Sequence, residues 1–288
     1  MIKQYYYLTK PGIIRGNLMT AAAAFLLASG RNIDWYLLIA TLIGIGLVIA
    51  SGCVFNNYID RGVDSKMART KKRAMVEGTI PVINAMTFAS LLGLGGLLVL
   101  ATYTNWLTVG LGVVGLFFYV IIYGIAKRRT VHGTLIGTIP GATPTVAGYC
   151  AVTGSFDTAA IGLFIIMVAW QMPHFYAISM YRFKDYKAAG LPVMSVKRGM
   201  LATQYQIMAY ILIFLLATYD LFAEGYAGMV YMVVTLGVGL VWFILGLRDF
   251  RNDDSTAWGR KMFLFSLIVL LTFSLMLSLN AWLPLGMV

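Results

Sequence analysis

The sequence predicts an all-α membrane protein that crosses the bilayer with nine helices, and three features of the chain carry this prediction. Of its 288 residues, 60% are hydrophobic and only 11% are charged, with a mean hydropathy of +0.80. A soluble domain carries about 25% charged residues and could not bury so much apolar surface. The apolar residues form segments long enough to span a bilayer. The basic residues fall almost entirely on one side of it.

Nine apolar segments have about the 20 residues that a transmembrane helix requires. They are 13–29, 35–56, 82–103, 106–126, 134–152, 158–180, 204–222, 226–247 and 262–282. Only Thr104 and Asn105 separate the third segment from the fourth. We predict that residues 1–288 form a single transmembrane domain.

The distribution of basic residues predicts the orientation of the chain. With the N-terminus in the cytoplasm and the C-terminus outside, all of the 22 Lys and Arg residues except Arg31 lie on the cytoplasmic side. This asymmetry also accounts for the net charge of +11, so the basic composition does not indicate a nucleic-acid partner. The pattern predicts that the protein is embedded in a lipid bilayer.

The most distinctive polar pattern lies in the first cytoplasmic loop, 57–81, and at the end of the helix before it. Asn56, Asp60 and Asp64 recur every four residues, so on a helix their oxygens line one face over roughly 12 Å. Such ligands suit Mg²⁺, which takes one or two carboxylates and leaves its other positions to water and phosphate. Basic residues suited to a polyanion follow; they are Arg69, Lys71, Lys72 and Arg73. Together these groups indicate a metal-bridged diphosphate, although positive-inside charge on a solvated loop also explains the basic run.

Two further cytoplasmic segments contribute candidates. The loop 181–203 begins with Tyr181 and has one acid, Asp185. Basic residues surround that acid; they are Arg182, Lys184 and Lys187. The fourth span ends with Lys127, Arg128 and Arg129, a placement that the helix dipole alone would favour.

Prolines interrupt two of the predicted spans. Pro140 and Pro144 lie in the fifth, and Pro173 lies in the sixth, directly before His174. Proline breaks the hydrogen-bond ladder, which is tolerated where neighbouring helices or a cavity compensate. An ionisable residue inside a span indicates a functional site. The alternative for His174 is a buried neutral histidine that hydrogen-bonds a neighbouring helix.

These motifs resemble those of the UbiA superfamily of intramembrane prenyltransferases. Asn56-x3-Asp60-x3-Asp64 and the following ART-x2-R stretch resemble its first aspartate-rich motif. Tyr181-x3-Asp185 stands where the superfamily usually has a second motif, Asp-x3-Asp, so the first acid is replaced by tyrosine. This departure weakens the case for a full second metal site and is similar to the heme O synthase (protoheme IX farnesyltransferase) branch.

Longer stretches over roughly residues 9–200 resemble the same branch. They read TKPGIIRGNL, SGCVFNNYIDRGVD, HGTLIGTIPGATPTVAGYCAVTG, WQMPH and YRFKDYKAAGLPV. Thr145 stands where that branch more often has a second proline. The resemblance implies a bundle of nine helices in a bacterial cytoplasmic (inner) membrane. It implies an Mg²⁺-dependent enzyme that transfers a farnesyl group from farnesyl diphosphate to a vinyl group of heme B, with addition of water. The products would be heme O and diphosphate, with heme-copper oxidase assembly proteins as possible partners.

The residues and the resemblance together suggest a role for each candidate. Metal ligation falls to Asn56, Asp60, Asp64 and Asp185. Diphosphate binding falls to Arg69, Arg73, Lys127, Arg128, Arg182 and Lys187. Tyr181 would hydrogen-bond the diphosphate or a metal-bound water. His174 would contact the porphyrin, most simply as an axial ligand of the heme iron, because neutral imidazole is a common ligand of iron.

Two alternatives to this function remain open. One is a prenyltransferase of the same superfamily with another aromatic or macrocyclic acceptor. The other, from a different class, is a membrane heme carrier or transporter, because broken helices and buried polar residues also mark transport paths. A transporter would more often have a repeated site at the middle of the membrane, whereas these acids cluster at one surface beside a basic run.

Overall fold

The computed structural model describes residues 2–251 and 254–283, and this part of the chain contains helices and no strands. The predicted domain limits, 1 and 288, lie outside these residues, as do 252–253 of the last cytoplasmic loop. Within the described residues, nine long helices form the bundle: α1 (Pro11–Ser29), α2 (Trp35–Asp64), α3 (Val82–Tyr103), α4 (Trp106–Arg129), α5 (Gly133–Thr153), α6 (Thr158–Tyr181), α7 (Met200–Ala223), α8 (Met229–Arg248) and α9 (Ser255–Leu279). Short helices lie beside them at Ile2–Leu8, Ala74–Glu77, Phe183–Ala188, Met194–Lys197 and Asn280–Trp282.

The all-helical membrane fold is confirmed. In the described part of the chain, eight of the nine long helices are both long and apolar enough to cross a bilayer. The exception is α5, which has 21 residues but is rich in Gly, Thr and Pro and therefore less apolar. It lies inside the bundle, packed against α1, α4 and α6, so little of it needs to face lipid.

The outer surface of the bundle is apolar, as contact with lipid requires. Leu91, Leu94 and Leu98 recur along one face of α3 and are 65–68% exposed. The largest buried cluster is formed mainly by α6, α7, α8 and α9, with further residues from α1 and α5.

The break between the third and fourth predicted spans is real and has a local cause. Asn105 is the N-cap of α4, and its side-chain oxygen accepts a hydrogen bond from the backbone N–H of Thr108 at 2.9 Å. An N-cap asparagine satisfies one of the free donors at a helix start. Its amide also donates to the carbonyl of Cys150 at 2.8 Å, which joins this turn to the end of α5.

Helix α2 continues beyond the predicted span 35–56 and reaches Asp64. Its 30 residues make it about 45 Å long, whereas the hydrocarbon core of a bilayer is about 30 Å thick. The final two turns therefore project from the membrane. Asp60 and Asp64 lie on this extension and Asn56 directly precedes it, so one helix carries the whole row.

Candidate functional site

A cavity of about 630 Å³ opens at the end of the bundle where α2 projects. Its walls come from α1, α2, α4, α5, α6 and α9. Deep in the bundle the lining is largely apolar, with Ile45, Val48 and Leu270 among its residues. Near the mouth it becomes strongly polar. A chamber with one charged end and one apolar end suits an amphiphilic ligand.

The acid row of α2 lies along the mouth of this cavity. Asn56, Asp60 and Asp64 all line it, and Asn56 and Asp64 are buried. Each of the three also accepts from a cationic side chain of another segment. Lys10 donates to Asn56 Oδ1 at 3.1 Å. Arg73 Nη1 lies 2.7 Å from Asp64 Oδ2.

Asp60 is held by two cations at the end of α4. Lys127 Nζ lies 2.6 Å from Asp60 Oδ2, and Arg128 Nη2 lies 3.0 Å from Asp60 Oδ1. Arg128 also donates to the backbone carbonyl of Ile59. The basic end of α4 and the acid row of α2 thus form one ion-pair network. Neither the helix dipole nor the positive-inside rule alone would require these ion pairs.

The loop after α2 folds back because its first residues bond to the helix end. Thr70 Oγ1 donates to the backbone carbonyl of Asp64 at 2.9 Å. This contact turns the chain so that Arg73 reaches the Asp64 carboxylate and Arg69 lines the cavity. Four cations therefore surround two carboxylates at the mouth; they are Lys10, Arg73, Lys127 and Arg128. The excess positive charge favours a polyanionic ligand.

An anionic ligand at the mouth would stabilise two of these polar side chains, Asn56 and Lys10. Asn56 Nδ2 is buried and has no partner among the described residues. A donor buried in this way is costly unless an acceptor is supplied, and a phosphate oxygen would supply one. Burial also lowers the pKa of the Lys10 ammonium, which a neighbouring anion would counteract.

The second predicted motif meets the first through one long contact. Asp185 Oδ2 lies 4.0 Å from Arg69 Nε, so the short helix Phe183–Ala188 borders the mouth. Tyr186, one residue further, lines the cavity, and burial raises the pKa of its hydroxyl. Asp185 itself does not line the cavity.

Besides Asp185 and Arg128, three more predicted site residues do not line the cavity. The ring of Tyr181 stacks on that of Phe263, with ring centroids 6.4 Å apart. The guanidinium of Arg182 lies over the same Tyr181 ring, and Lys187 lies over the ring of Phe183. None of the three lines the cavity. The roles given to them in metal or diphosphate binding stay predictions.

His174 lines the cavity on the α6 side and is hydrogen-bonded to α9. Its Nδ1 lies 2.7 Å from Ser266 Oγ, and that hydroxyl donates its only proton to the carbonyl of Phe263 at 2.6 Å. Ser266 Oγ must therefore accept from Nδ1–H, which leaves the Nε2 lone pair available. Trp170 stacks on the imidazole at 4.8 Å and donates to the backbone carbonyl of Ser266. His174 therefore makes the hydrogen bond to a neighbouring helix that a packing role predicts, and it also lines the cavity, as contact with a ligand would require.

Several cavity residues were not predicted from the sequence. Lys10 lies in the N-terminal segment with φ of 52°, a left-handed conformation that is uncommon for lysine and more frequent at functional positions. Tyr119 and Tyr123 line the cavity as a stacked pair, and Lys127 Nζ lies 4.8 Å from the Tyr123 ring. The useful signal for the tyrosines was their four-residue spacing from each other and from Lys127.

The acidic side chains fit a metal ion that is coordinated partly by the protein and partly by a bound ligand. They do not fit a site in which the protein supplies all the ligands. Among residues 2–251 and 254–283, no three His, Cys, Asp or Glu side chains converge on a point where they could hold an ion. Mg²⁺ commonly binds through one or two carboxylates and takes its other ligands from phosphate and water. Asp60 and Asp64 at the mouth satisfy that requirement.

The fold and the cavity define a class of protein, namely a membrane-embedded transferase for a lipid-like diphosphate. Residues 17–279 match the model of the UbiA prenyltransferase family, and the chain belongs to that family. The resemblance seen in its motifs is thereby confirmed.

The sequence relatives are similar over nearly their whole length. The chain is 49% identical over 281 residues to the protoheme IX farnesyltransferase of Yersinia pseudotuberculosis serotype O:1b, covering 97% of this chain and 95% of that protein. It is 47% identical over 285 residues to the protein of the same name from Photorhabdus laumondii, covering 99% and 97%.

Solved structures share the fold at much lower identity. A digeranylgeranylglyceryl phosphate synthase superposes with a TM-score of 0.77 and 17% identity, covering 96% of this chain and 98% of that one. A UbiA homologue from Archaeoglobus fulgidus, bound to GPP and Mg²⁺, superposes with a TM-score of 0.70 and 15% identity. The superposition covers 96% of this chain and 99% of that one. These similarities establish the architecture of the bundle.

Proposed function

We propose that this protein transfers the farnesyl group of farnesyl diphosphate to a vinyl group of heme B, giving heme O and diphosphate. The observation that carries the proposal is the amphiphilic cavity, whose charged mouth places four cations around two carboxylates. Identity of 49% to a protoheme IX farnesyltransferase supports heme B as the acceptor.

The reaction breaks the bond between farnesyl C1 and the diphosphate oxygen. The electron pair of the vinyl double bond forms the new bond to C1, and the resulting cation beside the porphyrin is captured by water, which loses a proton. Diphosphate leaves with the electrons of the broken bond. Charge develops on that leaving group, so donors placed around it lower the barrier.

The acid row would hold Mg²⁺ through Asn56, Asp60 and Asp64, with Asp185 assisting from the second loop. Bound there, the ion would neutralise charge on the departing diphosphate. The homologue bound to GPP and Mg²⁺ supports the use of this ion in the reaction. Asp185 would act through its neighbour Arg69, which lines the cavity.

The protein cations bind and orient the diphosphate. Four cations lie at the mouth or pair with the acid row; they are Arg69, Arg73, Lys127 and Arg128. Each is paired with a carboxylate and could bind a phosphate oxygen in its place. Arg182 and Lys187 lie further away, over Tyr181 and Phe183. The farnesyl chain would extend into the apolar depth of the cavity, where the scarcity of water protects the cation before it meets the vinyl group.

The remaining proposals concern the setting of the enzyme. We place the protein in a bacterial cytoplasmic membrane, with the N-terminus and the cavity mouth in the cytoplasm, because the mouth carries the basic residues that the positive-inside rule assigns to that side. Residues 1–288 would form one prenyltransferase domain. Proteins that assemble heme-copper oxidases would receive the product.

The function is tested directly with purified protein, heme B and farnesyl diphosphate. Mass spectrometry is expected to show heme O and diphosphate formed in equal amounts with Mg²⁺. Removing the ion with a chelator should reduce the rate by at least about a hundredfold, since charge on the leaving group is then poorly neutralised. Heme binding without any product would favour the carrier, and prenylation of a different aromatic acceptor would favour the other alternative.

We further propose that His174 Nε2 coordinates the heme iron. Ser266 holds the proton on Nδ1, and a hydrogen bond to the second nitrogen is what orients most metal-binding histidines. His174→Ala should remove the histidine-type Soret and α-band pattern of the heme-loaded protein and weaken heme binding about 10- to 100-fold. Farnesyl diphosphate binding should persist. An unchanged spectrum and affinity would leave His174 a packing residue.

A further inference from the structure

The ring of Tyr181 contacts two arginines that come from different parts of the chain. The guanidinium carbon of Arg182 is 4.3 Å from the centroid of the Tyr181 ring, and that of Arg260 is 5.7 Å from it. Arg182 follows the last residue of α6, and Arg260 lies in the second turn of α9. Two positive groups are therefore held within reach of one ligand at the surface of the bundle.

These arginines differ from the cations at the cavity mouth because, within the described residues, they have no acidic partner. Arg73, Lys127 and Arg128 each pair with a carboxylate, whereas no carboxylate of the described residues lies within 4.0 Å of Arg182 or Arg260. Both side chains are exposed. Arginines whose donors are not already used can bind carboxylates in a bidentate manner.

A line of aromatic rings connects this pair to His174. Tyr181 stacks on Phe263 of α9, and the Phe263 ring lies 5.1 Å from the imidazole of His174. Tyr181 and His174 are seven residues apart on α6, so they share a face and differ by about 10.5 Å along the helix axis. The arginines thus lie at the membrane surface, directly above the histidine that faces the cavity.

We propose that Arg182 and Arg260 bind the two propionate carboxylates of the heme acceptor. This inference rests on the proposed function, because protoheme is an apolar macrocycle with two carboxylates on one edge. With the macrocycle beside His174 and Phe263, that edge points along α6 to the surface. The two anionic substrates are then held at separate sites, the diphosphate on α2 and α4 and the propionates on α6 and α9.

The same arrangement gives a physical reason for tyrosine at position 181. A carboxylate there would lie near both guanidinium groups, occupy their donors and repel a propionate. The tyrosine ring instead supports both arginines through cation–π contacts and leaves their N–H groups available. Position 181 would in this way serve the acceptor and not the metal.

Anionic lipid headgroups offer oxygens of similar charge at the same surface, so the experiment separates the two sources. Heme B and its dimethyl ester, in which both propionates are neutral, are titrated into protein in nanodiscs of neutral lipid and, separately, in nanodiscs that contain anionic lipid. Quenching of tryptophan fluorescence gives each Kd. The proteins are wild type, the double variant Arg182→Gln/Arg260→Gln, and Arg251→Gln. Arg251 is the matched control because it is a surface arginine that lies over a tyrosine ring, that of Tyr205.

Wild type and Arg251→Gln are expected to bind heme B about 10- to 100-fold more tightly than the ester. The double variant should bind the two ligands almost equally, and an unchanged Tm in detergent would show that it is folded. Equal binding of acid and ester by wild type, or full discrimination in the double variant, would overturn the propionate site. A defect that appears only with anionic lipid would assign the arginines to headgroups. Failure of wild type to bind heme would instead refute the proposed function.

Discussion

Asp60→Asn is expected to reduce farnesyl transfer by about 10²- to 10³-fold, the loss typical when one charge-stabilising group is removed from a transition state. Asparagine preserves the size of the side chain and one hydrogen-bond acceptor but removes the charge. Asp60 is the carboxylate on which Lys127 and Arg128 both converge, so its loss disturbs the metal ligand and two diphosphate donors together. Initial rates at saturating substrates, with Mg²⁺ varied, measure the effect.

The control for this variant is Asp249→Asn. Asp249 accepts from Lys261 at 2.7 Å, nearly the distance between Asp60 and Lys127, but it is far more exposed and does not line the cavity. A surface ion pair of this kind contributes little to stability. Asp249→Asn should therefore retain nearly full activity. If Asp60→Asn also remains active while both variants unfold at the temperature of the wild type, the acid row is not the metal site.

The fold could be predicted in detail because the membrane imposes a simple length rule. The third span, 82–103, coincides with Val82–Tyr103, and six of the others differ from their helices by at most four residues at either end. The ninth span, 262–282, begins seven residues after its helix Ser255–Leu279 does. The larger error is at the end of α2, where the prediction stopped at Asn56 and the helix reaches Asp64. Hydropathy marks where a helix leaves lipid, but a helix in water continues until a capping residue or turn ends it.

The candidate site was only partly predictable, since sequence spacing reveals neighbours on one helix and not contacts between helices. The row from Asn56 to Asp64 was found by its period, whereas Lys10 contacts Asn56 across 46 positions in the chain. In α4, the segment Phe118–Ile122 adopts a π-helical turn, which shifts the phase of the residues that follow it. The 3.6-residue period of a regular α-helix therefore does not predict the direction of the Lys127 side chain relative to residues before this turn.

Gly148→Ala is expected to destabilise the bundle by about 1–3 kcal/mol, the usual range for overpacking a tight interface. Helices α1 and α5 approach closely at Gly148. A Cβ added there would lie 2.1 Å from the carbonyl oxygen of Ala21 and 2.8 Å from its carbonyl carbon. These are backbone atoms, so no side-chain rotation can relieve the overlap and α1 must move as a unit. Thermal unfolding in detergent should show a lower Tm.

The displacement of α1 should also reduce catalysis, because Asn17 and Thr20 of this helix line the cavity opposite α6. The matched control is Gly237→Ala in α8, where an added Cβ would meet no atom within 4 Å. Alanine favours a helix more than glycine does, so this control should be neutral or slightly more stable than wild type. A Gly148→Ala protein as stable and active as the control would mean that α1 and α5 can separate at no cost, and that the cavity wall does not depend on their contact.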